Sequence, residues 1–240
     1  MYLKQETSKK EILKESFLAS IPIFLGYIPL GLICGIMLQK AGLSAFYILM
    51  MSLMVFAGSS QFVAASMLAS NGSITSIVLT TFILNLRNFL MSSNLHMHIK
   101  NKNMRFLMYF CHGVTDETFA INLEKYTYGT WTDRHALYLN NLCIIVWAGS
   151  CFLGAFLGEI VTISDSVAGF LLTAMFITLV VNQIKSKVYI LVSMLSILLS
   201  IVLYTFFKSS LVIIIASVLS ALFGFYIQKL THKKEEVYEY

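Results

Sequence analysis

The sequence predicts an all-α polytopic membrane protein of about seven or eight transmembrane helices, some of them broken or re-entrant. Three observations carry this prediction. The 240 residues are 58% hydrophobic, with a mean hydropathy of +0.77 and only 12% charged residues, where a soluble domain carries about 25%. From Ala41 to Leu86 there is no Asp, Glu, Lys or Arg, a run long enough to cross a bilayer twice at about 20 residues per crossing. Alternating strand patterns of the barrel type are absent. A spanning segment must satisfy its own backbone hydrogen bonds, so each span is expected to be a helix.

The chain divides into a polar cytoplasmic tail over 1–16, a single transmembrane domain over 17–229 and a second cytoplasmic tail over 230–240. The opening stretch is longer than the charged front of a secretory signal, and no small-residue cleavage site follows a short apolar core. The first span is therefore expected to be retained. Apolar segments fall at 17–38, 43–69, 74–95, 105–123, 135–160, 167–184, 188–207 and 209–228. The fourth contains Cys111-His112-Gly113-Val114-Thr115-Asp116-Glu117, too polar to face lipid. Either other helices shield it or it does not fully span.

Basic residues cluster at both ends (Lys4, Lys9, Lys10, Lys14; Lys229, Lys233, Lys234), and the positive-inside bias holds such flanks on the cytoplasmic side. Both tails inside require an even number of crossings. Simple counting then puts the basic loop from His96 to Arg105 outside, against the same bias. A re-entrant piece near Gly58 to Gln61 would remove the conflict, and the sequence leaves both options open.

An internal repeat is a further reading. Gly31-x-x-x-Gly35 precedes a run ending at Gln61, and Gly154-x-x-x-Gly158 precedes one ending at Gln183, at distances equal to within a residue. Duplicated halves occur in secondary transporters, with the substrate site where they meet. Chance likeness between apolar helices is the rival account.

Candidate site residues are polar groups at membrane depth. Pro22 and Pro29 are the only prolines; each removes a helix hydrogen bond, so the first span is expected to break or bend there. Gly58, Ser59, Ser60 and Gln61 place a flexible backbone, two hydroxyls and an amide together. An unwound segment at this point would receive a zwitterion, whereas interhelical hydrogen bonds, worth about 0.6 kcal/mol each, would need only packing. Asn85, Arg87 and Asn88 follow, with the two asparagines on one helix face. Arg87 has three readings: a bidentate clamp for a carboxylate, an ion pair with Asp116 or Glu117, or a side chain snorkelling to the interface. A charge at the centre of a span costs about 2.5–3.5 kcal/mol or more, so such groups usually line a polar path. Asp116 and Glu117 are candidates for ion coupling, since burial penalises a charged carboxyl, or for a structural ion pair.

Other chemistries find little support. Cys34, Cys111, Cys143 and Cys151 lie in apolar stretches without zinc-ligand spacing and read as packing residues. His96 and His98 stand in a basic loop without a carboxylate cluster, so no metal and no cofactor is expected. There is no His-Glu-x-x-His or Gly-x-Ser-x-Gly, and no basic face for nucleic acid. An enzyme is not expected.

Taken in order, Ile28-Pro29-Leu30-Gly31, Phe56-Ala57-Gly58-Ser59-Ser60-Gln61-Phe62, Leu84-Asn85-Leu86-Arg87-Asn88 and Thr115-Asp116-Glu117-Thr118-Phe119 resemble the AzlC family of branched-chain amino acid permeases. The likeness covers about residues 15–205. It implies a multi-pass protein of the cytoplasmic membrane that exports leucine, isoleucine, valine or analogues, working with a small multi-span subunit of the AzlD type. In the family the arginine is commonly followed by histidine. Asn88 stands there in this chain, so a proton role is not carried over to that position. The alternative is a membrane scaffold that moves nothing.

Overall fold

In the computed structural model the described residues are 8–101, 103–129, 131–160, 170, 173–174, 177, 180–181, 184, 187–207 and 211–235. They are helical apart from short connections, with no strand among them. The chain forms two compact units, Met1–Leu172 and Thr173–Tyr240.

The first unit is built on helix α1 (Lys9–Lys40) and helix α7 (Asp133–Ile160). α1 starts where the Glu11 carboxylate accepts the Ser8 N–H at 2.9 Å, an arrangement that satisfies an otherwise orphan donor. It then continues through Pro22 and Pro29 as one helix of 32 residues, so the break expected at the prolines is absent. Packing against α7 offsets the lost bonds. The two helices run parallel: Ser16 Oγ donates to His135 O at 3.0 Å, Gly31 lies on Ser150, Gly35 on Cys151, and Gly158 on Gln39. A Cβ on Gly35 would overlap the backbone of Cys151, and one on Gly154 the backbone of Leu32. The two Gly-x-x-x-Gly motifs are thus facing halves of one close helix contact, as small residues permit. That contact accounts for the glycine part of the suggested repeat. Most of the matching run ending at Gln183 lies outside the described residues.

Between α1 and α7 the chain does not form simple spans. The segment expected to cross over 43–69 is two helices, α2 (Ala45–Met54) and α3 (Gly58–Ala69). α4 (Ile74–His96) is long and uninterrupted. The segment expected over 105–123 is again two, α5 (Met104–His112) and α6 (Asp116–Thr127). With 10, 12, 9 and 12 residues, each of these four reaches only about 14–18 Å. The hydrocarbon core is about 30 Å thick.

Hydrogen bonds decide which ends lie together. Glu15 near the start of α1 pairs with His135 at 3.1 Å. Asp133 at the start of α7 accepts Lys100 N at 3.1 Å and Asn101 N at 2.7 Å from the loop after α4. Tyr126, near the end of α6, donates to Asp133 at 3.3 Å. Start of α1, end of α4, start of α5, end of α6 and start of α7 therefore share one end, called here the Asp133 end. Since α1 and α4 each run once along the unit, α2 and α3 start and finish at the opposite, Lys40 end. α5 and α6 start and finish at the Asp133 end. Each interrupted pair therefore doubles back to the end it left, the geometry that a re-entrant piece near Gly58–Gln61 would need, and α5–α6 repeats it. The unit α1–α2–α3 is thus followed by α4–α5–α6 with inverted topology, each a long helix and an interrupted pair. Lys9, Lys10, Lys14, Lys100, Arg105, Lys125 and Arg134 all belong to the Asp133 end, and Lys40 to the other.

In the second unit, α8 (Lys187–Phe207) and α9 (Leu211–Glu235) pack together, with Gly224 set against the Val192 side chain. Among the described residues four helices are long and apolar enough to cross a membrane: α1, α4, α7 and α8.

Candidate functional site

The two interrupted pairs meet tip to tip beside α4. The α2–α3 interruption runs through Val55, Phe56 and Ala57, where Phe56 has φ 40°. This conformation costs a residue with a Cβ about 1–2 kcal/mol. The strain therefore sits two residues before the glycine that sequence reasoning singled out. Gly58 is needed for a different reason: a Cβ there would come within 2.9 Å of the Trp147 ring. Phe56 is 2% exposed and packs edge-on against Tyr27, burial that holds the bend in place.

Breaking two helices frees carbonyls, and distant side chains meet them. His112 at the end of α5 donates through Nε2 to Leu53 O at 2.8 Å. Thr118 Oγ1 donates to Gly113 O at 3.0 Å. Asn140 of α7 donates to Phe110 O at 3.1 Å and accepts from Asn122 at 3.0 Å, which in turn accepts from Trp131 at 2.9 Å. Asn140 and Asn122 are fully buried. Asn140→Leu should lower stability by about 1–3 kcal/mol, the usual consequence of stranding buried polar partners. Thermal unfolding in detergent measures this; an unchanged midpoint would remove the asparagine from the scaffold of the bend.

Arg87 joins the two tips. Its Nη2 donates to Ser59 Oγ at 2.7 Å and lies 3.0 Å from Asp116 Oδ2, with side chains 32% and 22% exposed. Of the three sequence readings, the ion pair with Asp116 is the one formed. Snorkelling is not seen. Ser60 Oγ donates to Asn85 Oδ1 at 3.0 Å, and Asn88 Nδ2 reaches the same oxygen at 3.4 Å. Asn88 Oδ1 is buried with no hydrogen bond. Tyr27 completes the junction from α1: its hydroxyl lies 2.7 Å from Thr115 Oγ1 and donates to Glu117 Oε2 at 2.9 Å.

The electrostatics of the two tips differ. Ala57 stands at the N-cap of α3 and no side chain caps that end, which leaves backbone donors and a positive dipole end beside Arg87. The N-terminus of α6 is capped by Thr115 and carries Asp116 and Glu117, so its donors are spoken for. The junction thus pairs an open cationic corner with an acidic one, where a carboxylate can exchange partners with Asp116.

Of the residues expected at the site, Ser59, Ser60, Asn85, Arg87, Asn88 and Asp116 come together, and Glu117 is held just behind by Tyr27. Gln61 does not join them. It is fully buried, donating to Ser52 Oγ at 2.8 Å and accepting from Trp147 Nε1 at 2.7 Å, and so braces α3 against α2 and α7. Sequence reasoning missed Tyr27, His112, Asn140 and Trp147. Asn140 and His112 did leave a signal, as polar groups inside apolar segments. Tyr27 and Trp147 left none. His98 stacks on Tyr126, and among the described residues no group of three His, Cys, Asp or Glu side chains gathers for a metal.

Both interrupted pairs, with α4 between them, fall within the region matched by the sequence profile of the AzlC protein family, residues 22–161. The chain belongs to the AzlC family. It is 30% identical over 210 residues to an uncharacterized membrane protein of Helicobacter pylori strain J99, covering 87% of this chain and 92% of that protein. Over 174 residues it is 29% identical to the branched-chain amino acid transport protein AzlC of Bacillus subtilis strain 168, covering 71% and 67% of the two chains. Inner membrane protein YgaZ of Escherichia coli K12 is 27% identical over 177 residues, 70% and 71% of the two chains. No solved structure matches the chain. The profile contains every residue of the AzlC-family site described here, from Tyr27 to Trp147, and membership makes this a membrane protein of a transport family.

Proposed function

We propose that this chain is a secondary transporter, the permease subunit of an exporter of leucine, isoleucine, valine or analogues across the cytoplasmic membrane, coupled to protons. The single observation that supports it most is Arg87 held between Ser59 and Asp116, where the tips of two interrupted helix pairs meet; in this reading both pairs are re-entrant and the arginine lies at membrane depth. The named activity of the Bacillus subtilis relative points to the substrate class. The inverted topology is of the kind secondary transporters use.

In this reading the substrate carboxylate takes the open corner formed by Gly58, Ser59, Ser60 and Arg87. Asn85 and Asn88 orient the zwitterion, and apolar neighbours receive the side chain. Asp116 competes with the substrate for the guanidinium. The substrate inserts between the pair, its carboxylate on Arg87 and its ammonium on Asp116. Protonating Asp116 from outside then removes the ammonium's partner and favours release, and loss of that proton to the inside restores the ion pair, so proton and substrate occupy the site in turn. Glu117 is the second group able to carry the coupling. The basic Asp133 end faces the cytoplasm. With two of the eight apolar segments re-entrant, six crossings remain, an even number that keeps both basic tails inside. An AzlD-type small subunit completes the exporter.

Labelled-leucine counterflow in proteoliposomes, with and without the AzlD-type neighbour, tests this. Exchange of label into leucine-loaded vesicles is expected. A scaffold that moves nothing would give none in either preparation.

A further inference from the structure

We propose that the groove between α4 and α5 is the vestibule through which an amino acid with an apolar side chain reaches Arg87 from the Asp133 end. This rests on the transport reading and adds a route to it.

The groove is an open one with a volume of about 440 Å³, lined by Asn88, Phe89, Ser92, Ser93 and His96 of α4 and Cys111 of α5. That volume lies in the range of about 300–1,000 Å³ usual for small-molecule sites. On α4 the residues Asn85, Asn88, Ser92 and His96 recur at spacings of three and four, so they form one polar seam along a helix face. The seam begins at Asn85, which holds Ser60 of the site, and ends at His96, the last residue of α4. It therefore links the junction to the Asp133 end without a gap. Phe89 supplies an apolar wall beside it. At the inner end Asn88 keeps one amide oxygen buried without a partner, an arrangement that native structures avoid unless the group has a use. An ammonium arriving beside Arg87 brings the donors that this oxygen lacks. The seam also explains why α4 tolerates two asparagines, a serine and a histidine on a helix that is long and apolar enough to span.

Cys111 is a reporter already in place. It is half-buried in the groove, while Cys34, Cys143 and Cys151 are fully buried. The test reacts the full-length protein in proteoliposomes with a cationic methanethiosulfonate present on both faces. Cys111 is expected to react about tenfold faster than the three buried thiols, since reactivity follows exposure. Saturating leucine should slow that reaction several-fold, and modification should abolish counterflow. Cys111→Ser should retain measurable counterflow, and that remaining counterflow should resist the reagent. Ser93→Cys in that background, at an exposed groove position, should restore both sensitivity and leucine protection. If Cys111 and the introduced cysteine react without affecting counterflow and without protection by leucine, the vestibule is overturned while the transport reading stands. Absence of counterflow in unreacted wild type would overturn the transport reading, and this inference with it.

Discussion

Arg87→Ala should lose leucine counterflow by about ten- to a hundredfold, the equivalent of the roughly 1.5–3 kcal/mol carried by a hydrogen bond to a charged group. The protein should still insert and purify, because Asp116 left without its partner can take up a proton and leave no charge stranded there. Arg87→Lys is the sharper probe. A lysine keeps the charge but not the planar fork: Nη2 alone contacts Ser59 and Asp116, which leaves the other guanidinium nitrogens for a substrate carboxylate, and an ammonium has no such second prong. This variant should retain counterflow below wild type and above the alanine variant. Asp116→Asn separates the two roles proposed for the junction. It frees the guanidinium permanently, so exchange of leucine should persist while uphill movement driven by a proton gradient fails. Wild-type counterflow in Arg87→Ala would remove the clamp from the mechanism.

The second large effect concerns the scaffold. Gly35→Ala or Gly154→Ala should destabilise the protein by about 1–3 kcal/mol, the range for overpacking a close contact. In each case the added Cβ overlaps backbone rather than a side chain that can move. Gly26→Ala, on the same α1, is the control. Nothing lies within 4 Å of the Cβ it would add, so better helix propensity should make it neutral or stabilising by up to about 1 kcal/mol. Opposite shifts in thermal midpoint are therefore expected from one chemical change made nine residues apart on one helix. Gly35→Ala combined with Gly154→Ala should be less than additive, since both open the same interface. A Gly35→Ala protein as stable as wild type would show that α1 and α7 are not in backbone contact there.

Much of this architecture was legible one segment at a time. Hydropathy located α4, α7 and α8 closely, because a spanning helix must be apolar along its length; it found the apolar part of α1 but missed that the helix begins at Lys9, inside the stretch expected to be a tail. The same count failed at 43–69 and 105–123, which it read as single segments. The polar run at Cys111 to Glu117 gave warning of the second interruption. The first offered only Gly58, and the chain bends instead at Phe56, where no local preference would put a positive φ. The bend holds because His112, 59 residues from Leu53, satisfies the carbonyl it exposes, and because Phe56 is buried against Tyr27. Pro22 and Pro29 misled in the opposite direction: they signal a break locally, but the contact with α7 along the helix keeps α1 whole. Gln61 reads as a free amide in the sequence and is spent in the structure on Ser52 and Trp147.

By itself the sequence determined that this is a helical membrane protein with one arginine and two acids kept among apolar segments, and its ordered motifs resembled one transport family. Those are sums over composition and short patterns, set by the cost of placing charge and unpaired backbone in hydrocarbon. Only the tertiary structure decided that α2 and α3 double back, that a second pair mirrors them, and that Arg87 reaches Ser59 and Asp116 together. These depend on contacts between residues 28 or more positions apart, and no local preference encodes which distant partner will satisfy a broken helix.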